Sequence, residues 1–162
     1  MRDEPNNIYL RTVNEADEAL LLHWANDPET RKWSFNANSI THSEHKKWFE
    51  RKLNALNVLM FILENENKPA GLVRLEKEDN NAIINYLIAP EERGKGLASK
   101  MLKMAMNIKQ DYWGSIKVLA FTFPENIASN KSLQKAGFIL KKSTDEKNCY
   151  EFYNSDTAGI VK

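Results

Sequence analysis

The chain has 162 residues, 42% of them hydrophobic and 28% charged, which is typical of one globular domain. Its 23 Lys and Arg residues nearly balance 22 Asp and Glu residues, which disfavours nucleic acid as the main partner. A single cysteine, Cys149, excludes an internal disulfide and a multi-thiolate metal site. We expect one cytoplasmic domain over residues 1–162 without membrane contact, because Met1–Pro5 has no apolar leader and no run could span a bilayer.

The first half of the chain predicts one strand followed by two main helices and a short one. Asn14 is a good N-cap, Asp27-Pro28 ends the first helix and begins the short one, and Thr41–Glu44 is a capping box. Glu44 is therefore most simply a capping residue. A polar loop precedes the last of these helices. The predicted strand covers residues 7–13, and the helices cover residues 15–26, 28–33 and 41–54.

The second half predicts an antiparallel meander of three strands, then a parallel strand that is reached through a helix. A further helix ends at Gly137, and a final hairpin follows. The expected fold class is α/β, with a mixed, mostly antiparallel sheet of about seven strands flanked by four helices. We expect a monomer or homodimer, with the strand Cys149–Tyr153 as a possible pairing edge. The predicted strands are 58–64, 70–77, 82–89, 116–123, 138–141 and 149–153, and the helices are 96–110 and 125–135.

Residues 93–99, Arg-Gly-Lys-Gly-Leu-Ala-Ser, lie between a predicted strand and a predicted helix. Glycine permits positive φ and close backbone approach, and a helix N-terminus presents free N–H groups. This stretch, which we call the anion loop, therefore suits a pyrophosphate. A Walker A loop is excluded because Lys95 is followed by Gly96, and a dinucleotide fingerprint is weak because its last position is Ser99.

A third phosphate-binding pattern, Arg/Gln-x-x-Gly-x-Gly/Ala, is met by Arg93, Gly96 and Ala98. A second motif runs from Asn126-x-x-Ser129 to Lys135-x-Gly137-Phe138. On these two motifs the chain resembles the GCN5-related N-acetyltransferase (GNAT) superfamily over nearly its whole length. The resemblance implies a single GNAT domain that uses acetyl-CoA as its co-substrate.

The resemblance also implies where the co-substrate binds. Its pyrophosphate would lie on the anion loop, its pantetheine arm along the strand before that loop, and its thioester near the second motif. Lys131 would lie near the nucleotide end. The implied cofactor-binding residues are Leu87, Ile88, Ala89, Arg93, Gly94, Lys95, Gly96, Leu97, Ala98, Ser99, Asn126, Ser129 and Lys131.

In many members of the family that the chain resembles, a glutamate on that strand is the general base. A tyrosine four residues before the Gly-Phe pair is the general acid. Here residues 83–86 are Ile, Ile, Asn and Tyr, and Leu133 stands at the tyrosine position. Candidate catalytic residues are therefore His45, Tyr86 and Ser129. Without a strand carboxylate, an acceptor of low pKa is favoured. An α-amine with a pKa of about 8, or a sugar amine, loses its proton at neutral pH more easily than a lysine side chain with a pKa of about 10.4, so it depends less on a general base.

Residues 26–35 and 40–49 resemble the acceptor region of GNAT enzymes that act on nucleotide-linked 4-amino sugars. A peptide N-terminal acetyltransferase is an alternative, because Trp24-x-x-Asp27-Pro28 resembles the ribosomal-protein group, and a non-catalytic acyl-CoA sensor is another. His45 is either a ligand or a core histidine, and Arg74 is either a phosphate ligand or half of an ion pair with Glu76. No metal site is predicted. The candidate substrate-binding residues are Asn26, Arg31, Trp33, Ser34, Phe35, His45 and Arg74.

Overall fold

The computed structural model describes residues 7–154, so the stretch Met1–Pro5 lies outside the described residues. Within these residues, seven strands and five α-helices follow one another, with two short 3-10 turns at Glu15–Asp17 and Pro90–Glu92. The strands are β1 Ile8–Thr12, β2 Val58–Asn65, β3 Lys68–Glu78, β4 Asn81–Ile88, β5 Lys117–Thr122, β6 Ile139–Ser143 and β7 Asn148–Phe152. The helices are α1 Glu18–Ala25, α2 Pro28–Lys32, α3 His42–Leu53, α4 Leu97–Trp113 and α5 Ile127–Lys135.

The predicted α/β class with seven strands is confirmed, and residues 7–154 contain five α-helices. The short helix predicted over residues 28–33, which the expected count of four helices left out, is α2. The Asp27 carboxylate accepts the Thr30 N–H at 3.2 Å and Pro28 occupies the first helical position, so α2 begins as a separate helix. The predicted capping box is also present: the Thr41 hydroxyl accepts the Glu44 N–H, and the Glu44 carboxylate accepts the Thr41 N–H.

One seven-stranded sheet runs in the order β1-β2-β3-β4-β5-β7-β6. All neighbours are antiparallel except β4 and β5, which form the predicted parallel pair. That pair is short, because only residues 81–83 of β4 register with residues 117–119 of β5. Beyond it the two strands separate, and we call the gap between residues 84–88 and the end of β5 the β4–β5 opening.

The two faces of the sheet are packed differently. One face packs α4 and α5 in a core that includes Met101, Leu102 and Leu133 and extends over β5 and β7. The other face packs α1 and α3 against β2 and β3, with Trp24 and Phe49 at its centre. The described members of this second cluster include none from β5 or β7. We call the corresponding side of β5 and β7 the uncovered face.

The possible pairing edge at Cys149–Tyr153 is wrong. Strand β7 lies between β5 and β6 and pairs with both, so its backbone groups are already satisfied within the sheet. The edges of the described sheet are β1 and β6.

Within residues 7–154 no helix combines the length and apolarity that a bilayer span requires. Over the same residues no group of three or more His, Cys, Asp or Glu side chains is arranged to hold a metal ion.

Candidate active site

The anion loop has the backbone conformation that its glycines predict. Gly94 and Gly96 have φ values of +80° and +74°, in the left-handed region that favours glycine. A Cβ added at either position would meet no atom within 4 Å, so both glycines face open space. Gly96 is the N-cap of the 17-residue helix α4 and supplies no side-chain cap. The first-turn N–H groups and the positive end of the helix dipole therefore face that space, which fits a diphosphate.

The basic side chains of the anion loop already have carboxylate partners. Lys95 Nζ lies 2.5 Å from Oε2 of the buried Glu92, and this contact is the main reason that the pKa of Glu92 lies below its usual value. Arg93 Nη2 lies 2.7 Å from Asp27 Oδ2. Because both cations are partnered within the protein, backbone N–H groups and the helix dipole are the loop's main means of attracting an anion.

Of the three residues predicted to line the pantetheine arm, at the end of β4, one directs its backbone N–H into the β4–β5 opening. The Ala89 N–H donates to the Ala70 carbonyl at 2.8 Å, toward β3. Backbone groups alternate in direction along a strand. The Leu87 N–H therefore also points to β3, whereas the N–H groups of Ile88 and Tyr86 point into the opening. Ile88 is the member of the predicted set that can bind a ligand there through its amide.

Two of the three candidate catalytic side chains meet at this opening. The Tyr86 hydroxyl forms a short hydrogen bond with Ser129 Oγ at the start of α5. Asn126 caps α5 by accepting the Ser129 N–H at 3.2 Å, which fixes the position of Ser129. Burial raises the pKa of Tyr86 to about 12, against the opposing effect of the Ser129 hydrogen bond. Leu133, at the position of the family tyrosine, is fully buried in the core.

Asn130, which the sequence reasoning missed, holds together the elements around Ser129. Its Oδ1 accepts from Thr122 at 2.5 Å, from Tyr150 at 3.1 Å and from Asn148 at 3.4 Å. Its Nδ2 donates to the carbonyls of Phe123 and Pro124 at 3.3 and 3.1 Å. The end of β5, the start of α5 and β7 are thus tied to one buried amide. The sequence offered one indication of this role, because asparagine has a low helix propensity and yet lies inside a predicted helix here.

Residues 33–40, which we call the acceptor loop, are shaped by three of the predicted substrate-binding side chains. Asn26 donates to and accepts from the Ile40 backbone, both at 2.8 Å. Arg31 donates to three backbone carbonyls and to the Ser34 hydroxyl, which itself donates to the Thr30 carbonyl at 2.6 Å. Burial lowers the pKa of Arg31. The polar groups of Asn26, Arg31 and Ser34 therefore hold the loop, and their contact with substrate stays a prediction.

The aromatic residues of the acceptor loop lie at the mouth of the β4–β5 opening. The rings of Trp33 and Phe35 pack against Phe123, directly after β5, with centroid distances of 6.2 and 4.5 Å. Phe35 remains 57% exposed. Trp33 Nε1 donates to Glu29 at 3.2 Å. The placement keeps Trp33 and Phe35 as candidates for substrate contact and adds Phe123, which the sequence reasoning missed.

His45 lies away from the Tyr86–Ser129 pair, in the helical layer on the other face of the sheet. It is 3% exposed beneath Trp48 and Phe49, and its Nδ1 lies 3.7 Å from Glu18 Oε1. Burial lowers its pKa, although Glu18 opposes this effect. The structure therefore favours the core alternative for His45 over a base that touches the reacting atoms.

Arg74 forms the ion pair with Glu76 that was one of its two alternatives. Its Nε lies 3.3 Å from Glu76, and its guanidinium stacks 5.0 Å from the centroid of the Trp48 ring. Burial lowers its pKa. The predicted ion pair is present, and a role in binding phosphate stays a prediction. Lys131, predicted near the nucleotide, is exposed on α5.

Lowering the pH should destabilise the fold through His45. Its folded-state pKa lies below the unfolded value of about 6.5, so the folded state binds fewer protons and stability rises with pH. The contribution is complete above pH 6.5 and is lost as the pH falls through the folded-state pKa. Urea unfolding between pH 7.5 and 5 should show this loss, and the dependence should flatten in His45→Gln. His42→Gln, which removes the exposed histidine that also faces Glu18, should keep it; an unchanged profile in His45→Gln would contradict the assignment.

The comparisons with known proteins agree with this geometry. The family model described as acetyltransferase (GNAT) domain matches residues 7–139. The spermidine N(1)-acetyltransferase of Escherichia coli (strain K12) is 22% identical over 139 residues, which cover 84% of this chain and 75% of that protein.

Solved structures share the fold at low sequence identity. A domain from Methanocaldococcus jannaschii DSM 2661 superposes with a TM-score of 0.81 at 22% identity, covering 93% of this chain and 100% of that one. The spermidine N-acetyltransferase from Vibrio cholerae, solved with CoA and spermine, gives 0.79 at 18% identity over 91% and 94% of the two chains. The aminoglycoside acetyltransferase AAC(6')-Ib, solved with coenzyme A and kanamycin, gives 0.77 at 19% identity over 95% and 98%.

The family model spans most of the chain and includes the anion loop, Tyr86, Ser129 and the acceptor loop. The resemblance that two short motifs indicated is thereby confirmed, and the chain belongs to the GNAT acetyltransferase family.

Proposed function

We propose that this enzyme transfers the acetyl group of acetyl-CoA to the primary amine of a nucleotide-linked amino sugar. The donor half of the proposal is supported by family membership and by the anion loop, whose glycine φ values and open surroundings fit a diphosphate. The observation that carries the acceptor half is the basic character of the uncovered face.

The residues of the β4–β5 opening supply what acyl transfer requires. Acetyl-CoA brings the acetyl group as a thioester and leaves as the free thiol. The Ile88 N–H donates a hydrogen bond where negative charge develops on the carbonyl oxygen as the amine adds to the carbonyl carbon. The hydroxyl of Tyr86, held by Ser129, gives its proton to the departing sulfur as the carbon–sulfur bond breaks. The proton released by the amine then restores the phenol, so the proton count balances.

No carboxylate projects from β4 to take the amine proton, because the strand carries Asn85, Tyr86 and Leu87 at this level. The acceptor must therefore arrive with an appreciable neutral fraction. An amine on a sugar ring, whose neighbouring hydroxyls withdraw electrons, meets that requirement better than a lysine side chain with a pKa of about 10.4.

The uncovered face is lysine-rich around Cys149. Burial and Glu151 raise the pKa of the Cys149 thiol. The nearby charges of Lys147, Lys142 and Lys117 lower it to a smaller extent. Lys147 Nζ lies 4.9 Å above the ring of Phe121, at the end of β5. Because Lys117 is paired with Glu151, Lys142 and Lys147 are the lysines that attract an anionic acceptor and repel a polycation. Aromatic rings beside them suit a base or sugar.

A polyamine is the second candidate acceptor, because the chain is similar to the spermidine N(1)-acetyltransferase of Escherichia coli. A polyamine site needs unpaired carboxylates. Here Glu151 lies 3.7 Å from Lys117, and Glu76 is bonded to both Lys52 and Arg74. The paired state of these carboxylates disfavours a polycationic substrate.

The test is a thiol-release assay with acetyl-CoA and a panel of amines. The panel contains nucleotide-linked amino sugars, the same sugars without the nucleotide, peptides with free N-termini, spermidine and an aminoglycoside. We expect turnover of the nucleotide-linked sugars, with kcat/KM at least about tenfold above the unlinked sugars because the phosphates meet the lysines. Preferred turnover of spermidine or a peptide would replace the sugar assignment. CoA binding without turnover of any amine would favour the sensor alternative.

A further inference from the structure

An ion pair joins the anion loop to the start of α2, the helix that precedes the acceptor loop. Arg93 Nη2 lies 2.7 Å from Asp27 Oδ2 and 3.3 Å from Thr30 Oγ1. The two ends of this link are 66 residues apart in the sequence. Asp27 is at the same time the N-cap of α2, because its carboxylate accepts the Thr30 N–H. The start of α2 is therefore fixed from the donor side of the molecule.

Helix α2 in turn controls the acceptor loop. Arg31, one turn after Asp27, donates to the carbonyls of Asn36 and Asn38 at 2.9 and 3.2 Å. Trp33 is the C-cap of this helix, and its ring packs on Phe123 at the mouth of the β4–β5 opening. A continuous series of hydrogen bonds and packed residues thus runs from the anion loop to the place where the acceptor enters.

The chemistry of the guanidinium allows this link to respond to the donor. The described contacts of Arg93 with Asp27 and Thr30 both use Nη2. A guanidinium has five N–H donors in a fixed plane, so the group can hold the carboxylate and a phosphate oxygen together. A diphosphate on the anion loop would restrain Arg93, and Arg93 would in turn restrain Asp27 and α2.

We propose that Arg93 and Asp27 are positioning residues that couple donor binding to the geometry of the acceptor loop. The inference rests on the proposed function, because it takes the anion loop as the donor pyrophosphate site. Binding of the donor then favours the ordered acceptor loop, and the acceptor binds more tightly to the donor-loaded enzyme.

The pair suits a modest coupling. The side chains of Arg93 and Asp27 are 35% and 15% exposed, so water screens the interaction. Burial works to raise the pKa of Asp27, but Arg93 and Thr30 outweigh it and the net pKa is lowered, which keeps the carboxylate charged at neutral pH. We expect an effect on acceptor affinity of about fivefold, at the lower end of measured allosteric couplings.

The test uses Trp33 as a probe of the acceptor loop. CoA is titrated into the protein while tryptophan fluorescence is recorded, and the same titration of Trp33→Phe isolates the contribution of Trp33. Asp27→Asn keeps a good N-cap and removes the charge. We expect this variant to bind CoA within about threefold of the wild-type Kd by calorimetry, while the Trp33 response falls at least about threefold. Asp111→Asn, the same change at an exposed position on α4, should leave the response intact.

Kinetics give an independent readout with the best acceptor from the amine panel. Asp27→Asn should raise the KM for the acceptor about fivefold and leave kcat within about twofold. The coupling is overturned if the wild-type Trp33 signal does not respond to CoA, or if the response and the acceptor KM are unchanged in Asp27→Asn. Failure of the wild-type protein to bind CoA would overturn the proposed function itself, and the coupling with it.

Discussion

Replacing Gly96 by glutamate should weaken acetyl-CoA binding by about two orders of magnitude. Gly96 begins α4 at a φ of +74°, and a side chain there points into the open space in front of the helix N-terminus. Two like charges about 4 Å apart repel by about 4 kcal/mol near a protein surface, or about a thousandfold in affinity. Exposure of the loop reduces this to about a hundredfold. Isothermal calorimetry with CoA measures the loss directly.

Gly96→Gln and Gly96→Lys separate charge from backbone strain. All three side chains incur the same left-handed penalty of about 1–2 kcal/mol, which thermal unfolding will show as similar losses of stability. If the loop binds a diphosphate, CoA affinity should follow the order Lys, Gln, Glu. Equal affinities for the glutamate and lysine variants would contradict a phosphate at this loop.

Replacing Tyr86 by phenylalanine should lower kcat about a hundredfold, the lower end of the usual range for a positioned general acid. The phenol is held at the β4–β5 opening by Ser129. Its pKa of about 12 keeps it protonated throughout the neutral range, as a proton donor to the departing sulfur must be. The KM for acetyl-CoA should stay within about twofold, because the ring and the anion loop are unchanged. Steady-state kinetics by thiol release separates the two parameters.

Tyr150→Phe is the matched control. Tyr150 is also buried, and its hydroxyl donates to Asn130 at 3.1 Å, so the variant loses a comparable hydrogen bond that does not involve the Tyr86 hydroxyl. We expect lower stability but a kcat within about threefold of the wild type. The wild-type kcat should also show no alkaline decline below about pH 10, because Tyr86 remains protonated there. A Tyr86→Phe variant with wild-type kcat would exclude the phenol as the acid.

Local features of the fold were predictable from sequence because their causes are local. The capping box at Thr41, the left-handed glycines of the anion loop and the end of α5 at Gly137 each depend on residues within one turn. The seven strands followed from short apolar runs bounded by turn residues. The shortest helix, α2, has only five residues and almost no periodicity, and only the Asp27-Pro28 pair at its start predicted it.

The candidate site was less predictable because its decisive contacts are distant in sequence. Arg93 pairs with a residue 66 positions away, and Tyr86 with one 43 positions away. No sequence pattern in either segment predicts such a distant partner. The side chains predicted to touch substrate, such as Arg31, turned out to bond backbone carbonyls of their own loop, a role that residue type alone does not distinguish from ligand binding.

The early separation of β4 from β5 leaves the Ile88 N–H facing the opening. In the proposed mechanism, this backbone amide is the main polar contact for the reacting carbonyl. Alanine scanning of the strand would leave this donor in place and report the position as tolerant. Only a change that removes the N–H itself, such as proline or a backbone ester, would reveal it. If the proposed mechanism holds, side chains around the opening can vary to suit different acceptors, while the backbone group that activates the acetyl donor stays the same.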